Sequence, residues 1–408
     1  MELAVAAFLA AGAAAGFGTT YLSGIGFSIE ERLVFGTVLG AMAIAVWTFL
    51  LSMIVRDVTV ATVLLGLLIA LVIGVAGAGA RRTLLVSDLR EARRRWSGSW
   101  QGSGHPWPLA AVLLVCGVWT VHFLHQAYVY TPAGLYAGYV NIWGDWAAHL
   151  SFASSFAYGH NFPPEYSIDP GHRLGYPFMI DFLAADLVPL GSSITAALVA
   201  TTAMLGLAFP GVLYLAALRF AGGRVAAVIA VFVFSLSGGL GFIYLLDRFR
   251  PGLIPLFGAP PGTPLPTEYT LDRDINLQWL NPVLAYLVPQ RSTLFGFSLA
   301  LILLTLLWLA LRERLGWRPF VFAGLVAGVL PVFHVHAYGT VVALPAFWAV
   351  INRRLQWIGF FVPALVIGVP ILVWMWPPAN TSVCGDLPSL FGYCIEPGWL
   401  SFTQMVKD

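Results

Sequence analysis

Apolar residues in this chain run in long blocks rather than in alternation with polar ones. A bilayer core about 30 Å thick needs roughly 20 apolar residues of helix, at about 1.5 Å of rise per residue. Ten stretches qualify, near 3–22, 33–55, 58–79, 108–126, 192–218, 225–246, 292–311, 319–335, 338–351 and 357–376, the ninth being short. Spans of a β-barrel would alternate over about ten residues instead. The backbone must satisfy its own hydrogen bonds in lipid, so the pattern predicts an all-α, polytopic membrane protein with about ten transmembrane helices. The stretch from Leu3 to Leu22 has no basic residue before it and an apolar run too long for a signal peptide. Its Ala and Gly content predicts a membrane helix that packs closely on its neighbours.

Composition narrows the class. Of 408 residues, 59% are hydrophobic and 10% charged, with a mean hydropathy of +0.82. Soluble domains carry about 25% charged and about 45–50% apolar residues. A soluble enzyme, a disordered chain and a nucleic-acid-binding protein are therefore excluded. The net charge of +2 points to no polyanionic partner.

Charge placement sets the orientation. With the segment holding Arg81, Arg82, Arg90, Arg93, Arg94 and Arg95 in the cytoplasm, fourteen of the 21 basic residues fall inside and fourteen of the 19 acidic ones outside. Both ends of the chain, and the long polar loops 127–191 and 247–290, then face outward. The expected divisions are 1–107 (N-terminal spans and a basic loop), 108–376 (core) and 377–408 (outer tail). Cys384 and Cys394 share that tail, where an oxidising compartment permits a disulfide between them. Asn380-Thr381-Ser382 is a sequon beside the last span, and no glycan is expected there.

Chemistry concentrates in the outer loops. Gly144-Asp145-Trp146-Ala147-Ala148-His149 opens a helix lying along the membrane surface, with Asp145, His149, Phe152 and Phe156 on one face and the acidic end turned to a cavity. Pro and Gly then shape a loop carrying Glu165, His172, Arg173 and Tyr176, whose rings, carboxylate and imidazole suit a sugar. Phe178–Leu190 is apolar but holds Asp181 and Asp186, so it predicts a re-entrant or interfacial helix. Gln290 and Arg291 open a span, where a guanidinium can grip a phosphate at headgroup depth or anchor the helix by snorkelling. His334-Val335-His336 lies at the outer junction of two spans. It offers substrate contacts, and beside acidic loops it makes a divalent metal a candidate cofactor.

An acid at the start of a helix in the first large outer loop resembles the GT-C superfamily of multispanning glycosyltransferases. The likeness covers about residues 108–376 and is architectural more than motif-exact. It implies transfer of a sugar from a polyprenyl-phosphate-linked donor to an acceptor on the outer face of the plasma membrane, with Asp145 as general base. The implied substrate contacts are His149, Glu165, His172, Arg173, Tyr176, Gln290, Arg291, His334 and His336. Many members have Asp-Glu where this chain has Asp145-Trp146, which leaves a second carboxylate to Glu165, Asp169 or another loop. The sugar and the acceptor (lipid, glycan or protein) stay open. A transporter or lipid-handling protein is the competing class, although no span centre carries a charge and no repeat is evident. An inactive scaffold with the same architecture is the third.

Overall fold

A computed structural model of the protein describes residues 2–98, 105–124, 127–137, 143–237 and 282–376, with two-residue strands at 271–272, 277–278, 389–390 and 393–394. It is mostly helical, and among the described residues six helices are long and apolar enough to cross a membrane. In chain order the helices are α1 (Glu2–Thr19), α2 (Ile29–Val55), α3 (Val60–Ala80), α4 (Arg82–Ser97), α5 (Trp107–Leu124), α6 (Trp143–Gly159), α7 (Met179–Ala185), α8 (Ile194–Ala221), α9 (Arg224–Leu236), α10 (Arg291–Arg312), α11 (Trp317–Val329), α12 (Val335–Ile351) and α13 (Trp357–Met375). Every apolar stretch expected to span is helical along all or part of its length. The six long ones are α1 with the 3₁₀ turn after it, then α2, α3, α8, α10 and α13; α5, α9, α11 and α12 are shorter apolar helices.

Small residues set the packing of the first three helices. A side chain at Gly40 of α2 would strike the carbonyl of Gly12 in α1, and one at Gly74 of α3 would strike the carbonyl of Ala15. Backbones that close hold together by van der Waals contact without help from water, as helices in lipid must. The outward faces are apolar instead. Leu64, Leu68, Val72 and Val75 on α3, and Val362, Val366, Val369 and Val373 on α13, are all exposed at helical spacing.

Charged side chains gather at one end of this helical unit. Arg32, fully buried, donates from Nε to Asp88 of α4 at 3.0 Å, and its guanidinium lies 3.7 Å from the Tyr21 ring centroid. Arg95 of α4 pairs with Glu30 at 2.9 Å, and Arg219 of α8 reaches Glu31 at 2.5 and 2.6 Å. Ser28 and Glu31 cap α2 reciprocally, the hydroxyl accepting the Glu31 N–H and the carboxylate accepting the Ser28 N–H. Arg354 donates to the carbonyls of Ala310 and Leu315. All these residues belong to segments assigned by charge bias to one side.

The chain divides into two compact units, 1–231 with 287–376, and 232–286 with 377–408. In the second, the described strands form two antiparallel pairs, Leu271–Asp272 with Leu277–Gln278 and Ser389–Leu390 with Tyr393–Cys394. Cys384 and Asn380 lie outside the described residues, as does the side chain of Cys394, so the expected disulfide and sequon fall outside them too.

Two features of the first outer loop differ in detail from the expectation. A hairpin precedes α6, with Tyr128–Thr131 antiparallel to Gly134–Ala137. The apolar stretch beginning at Phe178 forms only the short α7, whose seven residues are all buried.

Candidate functional site

Helix α6 buries Trp146, His149, Phe152, Ala153 and Phe156, a stripe at helical spacing, and leaves Asp145 exposed at its edge. The face expected to join Asp145 with His149 is thereby split: the carboxylate faces out and the imidazole faces in. Trp146 is locked from both sides, since its Nε1 donates to the Val288 carbonyl at 2.8 Å and its ring packs edge-on against Tyr128. Asp145 makes no hydrogen bond or ion pair with the described residues, so its carboxylate is free to accept one.

Beneath α6 lies a buried ionic cluster. Asp181 of α7 receives His149 Nδ1 on one oxygen at 2.8 Å and Arg291 on the other. All three side chains are essentially without solvent exposure. Arg291 is saturated further: Nε donates to Thr202 at 2.8 Å, and Nη2 to Thr201 at 2.6 Å and to the Leu198 carbonyl at 3.3 Å. Its guanidinium also lies 5.8 Å from the Trp146 ring. A cation so enclosed anchors α7, α8 and α10 to one another. Neither sequence reading of Arg291, the phosphate grip or the snorkelling anchor, describes that placement. The arrangement also fixes His149, because the Asp181 carboxylate makes Nδ1 the donor and sets the orientation of the ring.

Tyr176 sits over this cluster, its ring 5.8 Å from that of His149 and edge-on to it. Burial pushes the Tyr176 hydroxyl up to about 12; the Ser292 side chain opposes that shift, and the charges of Asp181 and Asp145 add to it. Both carboxylates thus stand within electrostatic reach of one phenol, a protonated hydrogen-bond donor at neutral pH.

The loop between Asn161 and Pro177 is a self-braced hairpin. Asn161 accepts the Glu165 N–H at 2.9 Å and donates to the Glu165 carbonyl at 2.8 Å. The backbone of Glu165 bridges that of Arg173, the Glu165 carboxylate accepts the Gly171 N–H at 3.0 Å, and His172 pairs with Asp169 at 3.0 Å. Glu165, His172 and Arg173 are exposed. Arg173 has no hydrogen-bond or ion-pair partner among the described residues, which makes it an open cation. Gly175 presses against the Met375 carbonyl at the end of α13, where a Cβ would stand 2.8 Å away.

The flanks of that loop close an apolar groove of about 480 Å³. Phe49, Leu50 and Met53 from the far end of α2 form one wall, and Phe178, Val332 and Trp374 another.

The remaining residues are divided. Gln290 is half-buried and precedes α10 without capping it. His334 is buried and caps α12, its Nδ1 accepting the Ala337 N–H at 3.1 Å. That extended N-cap conformation brings the His334 and His336 rings to 5.7 Å, closer than helical spacing would allow. Among the described residues no three His, Cys, Asp or Glu side chains group as metal ligands. Sequence reasoning singled out Asp181 as an acid in an apolar segment without naming its partners. The signal was present, since a buried carboxylate demands a cation and Arg291 opens a span with no other acid near it.

No protein-family model, curated protein or solved structure matches this chain.

Proposed function

We propose that the protein is a membrane glycosyltransferase of the GT-C type, with ten spans, moving a sugar from a polyprenyl-phosphate-linked donor to an acceptor on the outer face of the plasma membrane. The observation that carries this reading is the exposed, unpartnered carboxylate of Asp145 at the head of a helix held rigidly by a buried ionic cluster. Preorganisation of that kind is what a general base needs, because its position is set before the substrate arrives.

In this reading Asp145 takes the proton of an acceptor hydroxyl. The hydroxyl oxygen bonds to the anomeric carbon as the bond from that carbon to the phosphate oxygen breaks, and the leaving phosphate keeps the electron pair. Arg173, open on the Glu165–Pro177 loop, meets the phosphate charge, while Arg291 serves as an internal brace. Tyr176 donates its hydroxyl hydrogen to the substrate. The apolar groove beside Phe178 and Trp374 supports a donor with a long hydrocarbon chain, whose head would emerge at the Glu165–Pro177 loop.

The test is transfer from a polyprenyl-phosphate sugar in membranes holding equal amounts of wild type and Asp145→Asn. Removal of a general base lowers the rate about 10²–10⁴-fold. Transfer at the wild-type rate by the Asn variant would overturn the assignment.

A further inference from the structure

At the end of the helical unit remote from this site, a second cavity of about 520 Å³ opens between the start of α2, α4, the start of α5 and the end of α8. Leu109 and Leu215 line it together with Glu30, Arg95, His105 and Arg224. Glu30 is only 6% exposed. Its Oε2 accepts from Arg95 Nη2 at 2.9 Å, but Glu30 Oε1 and Arg95 Nε are both buried with no hydrogen-bond partner. Glu91 Oε1 stands 3.9 Å from that Nε, beyond hydrogen-bonding distance. One acceptor and one donor, linked by their own ion pair, are therefore left unmet in two residues that line a partly apolar cavity. Buried polar groups of this kind are strongly unfavourable unless something satisfies them.

We propose that this cavity binds a phosphoethanolamine headgroup, carried by an aminophospholipid of the adjacent leaflet. The ammonium donates to Glu30 Oε1, a phosphate oxygen accepts from Arg95 Nε, and the glycerol end runs along Leu109 and Leu215. The chemistry is selective. A quaternary choline has no N–H to give Glu30, and an anionic lipid without an amine leaves that oxygen unmet and sets like charge beside it. An amphiphile suits the site because Leu109, Leu215 and Leu218 share its lining with the charged residues, and the cavity lies at helix ends, the depth of the headgroup layer.

The experiment is native mass spectrometry of the purified full chain with added didecanoyl phosphatidylethanolamine, the matching phosphatidylcholine, or free phosphoethanolamine. One phosphatidylethanolamine is expected to stay bound, at least about tenfold more tightly than phosphatidylcholine, the difference one charge-assisted hydrogen bond makes, and more tightly than free phosphoethanolamine, which lacks the apolar contact with Leu109 and Leu215. Glu30→Gln should remove that preference. Leu109→Trp, which touches no ion pair, should fill the cavity and abolish binding even if the Glu30 variant folds poorly. Equal retention of phosphatidylcholine, or unchanged binding by Leu109→Trp, would overturn the site. Free phosphoethanolamine binding as tightly as the lipid would overturn the lipid and leave a soluble zwitterion as the occupant.

Discussion

Replacing Asp181 by Leu tests whether the buried cluster holds the outer half of the protein together. The change removes the one carboxylate that Arg291 pairs with among the described residues and leaves a guanidinium in the interior facing the neutral acceptors Thr201, Thr202 and the Leu198 carbonyl. Breaking a buried pair on one side costs about 3–5 kcal/mol, because the remaining charge stays desolvated. His149 loses its acceptor at the same time, worth about 1 kcal/mol. The companion variant is Asp181→Leu with Arg291→Met. There the stranded charge is gone, and the hydroxyl hydrogens of Thr201 and Thr202 are still used by the carbonyls of Ala197 and Leu198. The double variant should therefore recover about 2–3 kcal/mol relative to the Leu substitution alone.

The assay is reversible unfolding in detergent micelles followed by tryptophan fluorescence, with Trp146 as a reporter against Arg291. A loss below about 1 kcal/mol for Asp181→Leu, or simple additivity in the double variant, would refute the idea that the pair is a brace.

Three further outcomes are expected. Asp186 is fully buried with neither oxygen hydrogen-bonded, and burial raises its carboxyl well above the ordinary 3.8. The folded state then holds a proton that the unfolded state releases, so wild-type stability should fall as pH rises from about 4, and Asp186→Asn should lose that slope; parallel melting-against-pH curves would contradict it. Gly40→Val puts a side chain into the backbone of Gly12 and should destabilise by about 1–3 kcal/mol or more, read as loss of folded protein in detergent. Arg173→Gln, at an exposed position without partners, should leave the melting temperature unchanged while raising the KM for the lipid-linked donor at least about tenfold; an unchanged KM would move the phosphate elsewhere.

The six long apolar helices were legible because lipid imposes a length on apolar runs that local sequence reports directly. The close packing of α1 followed from its Ala and Gly, and the sided clustering of Arg32, Arg95, Arg219 and Arg354 from loop charge alone. Asp145 and its helix were legible from a polar start to an apolar stretch. The inward turn of His149 was not: its direction depends on Asp181 and Arg291, 32 residues away and a further 110 beyond that, and helical periodicity cannot see a partner on another helix. The hairpin at Tyr128–Ala137 had a readable signal in Tyr-Val-Tyr-Thr followed by Pro-Ala-Gly, masked by neighbouring apolar runs. The enclosure of Arg291 by Thr201, Thr202 and the Leu198 carbonyl had none, since a guanidinium at a helix end looks the same in sequence whether its remaining donors meet a ligand or its own chain.

Helix α2 touches both ends of this architecture, with Glu30, Glu31 and Arg32 at one and Phe49, Leu50 and Met53 at the other. Its 27 residues make a rod about 40 Å long, held against α3 at Thr48 and against the α1 backbone at Gly36 and Gly40. Clamped at two levels, the helix cannot pivot as a rigid lever, so the charged end and the groove are held in fixed register by the small residues of its neighbours.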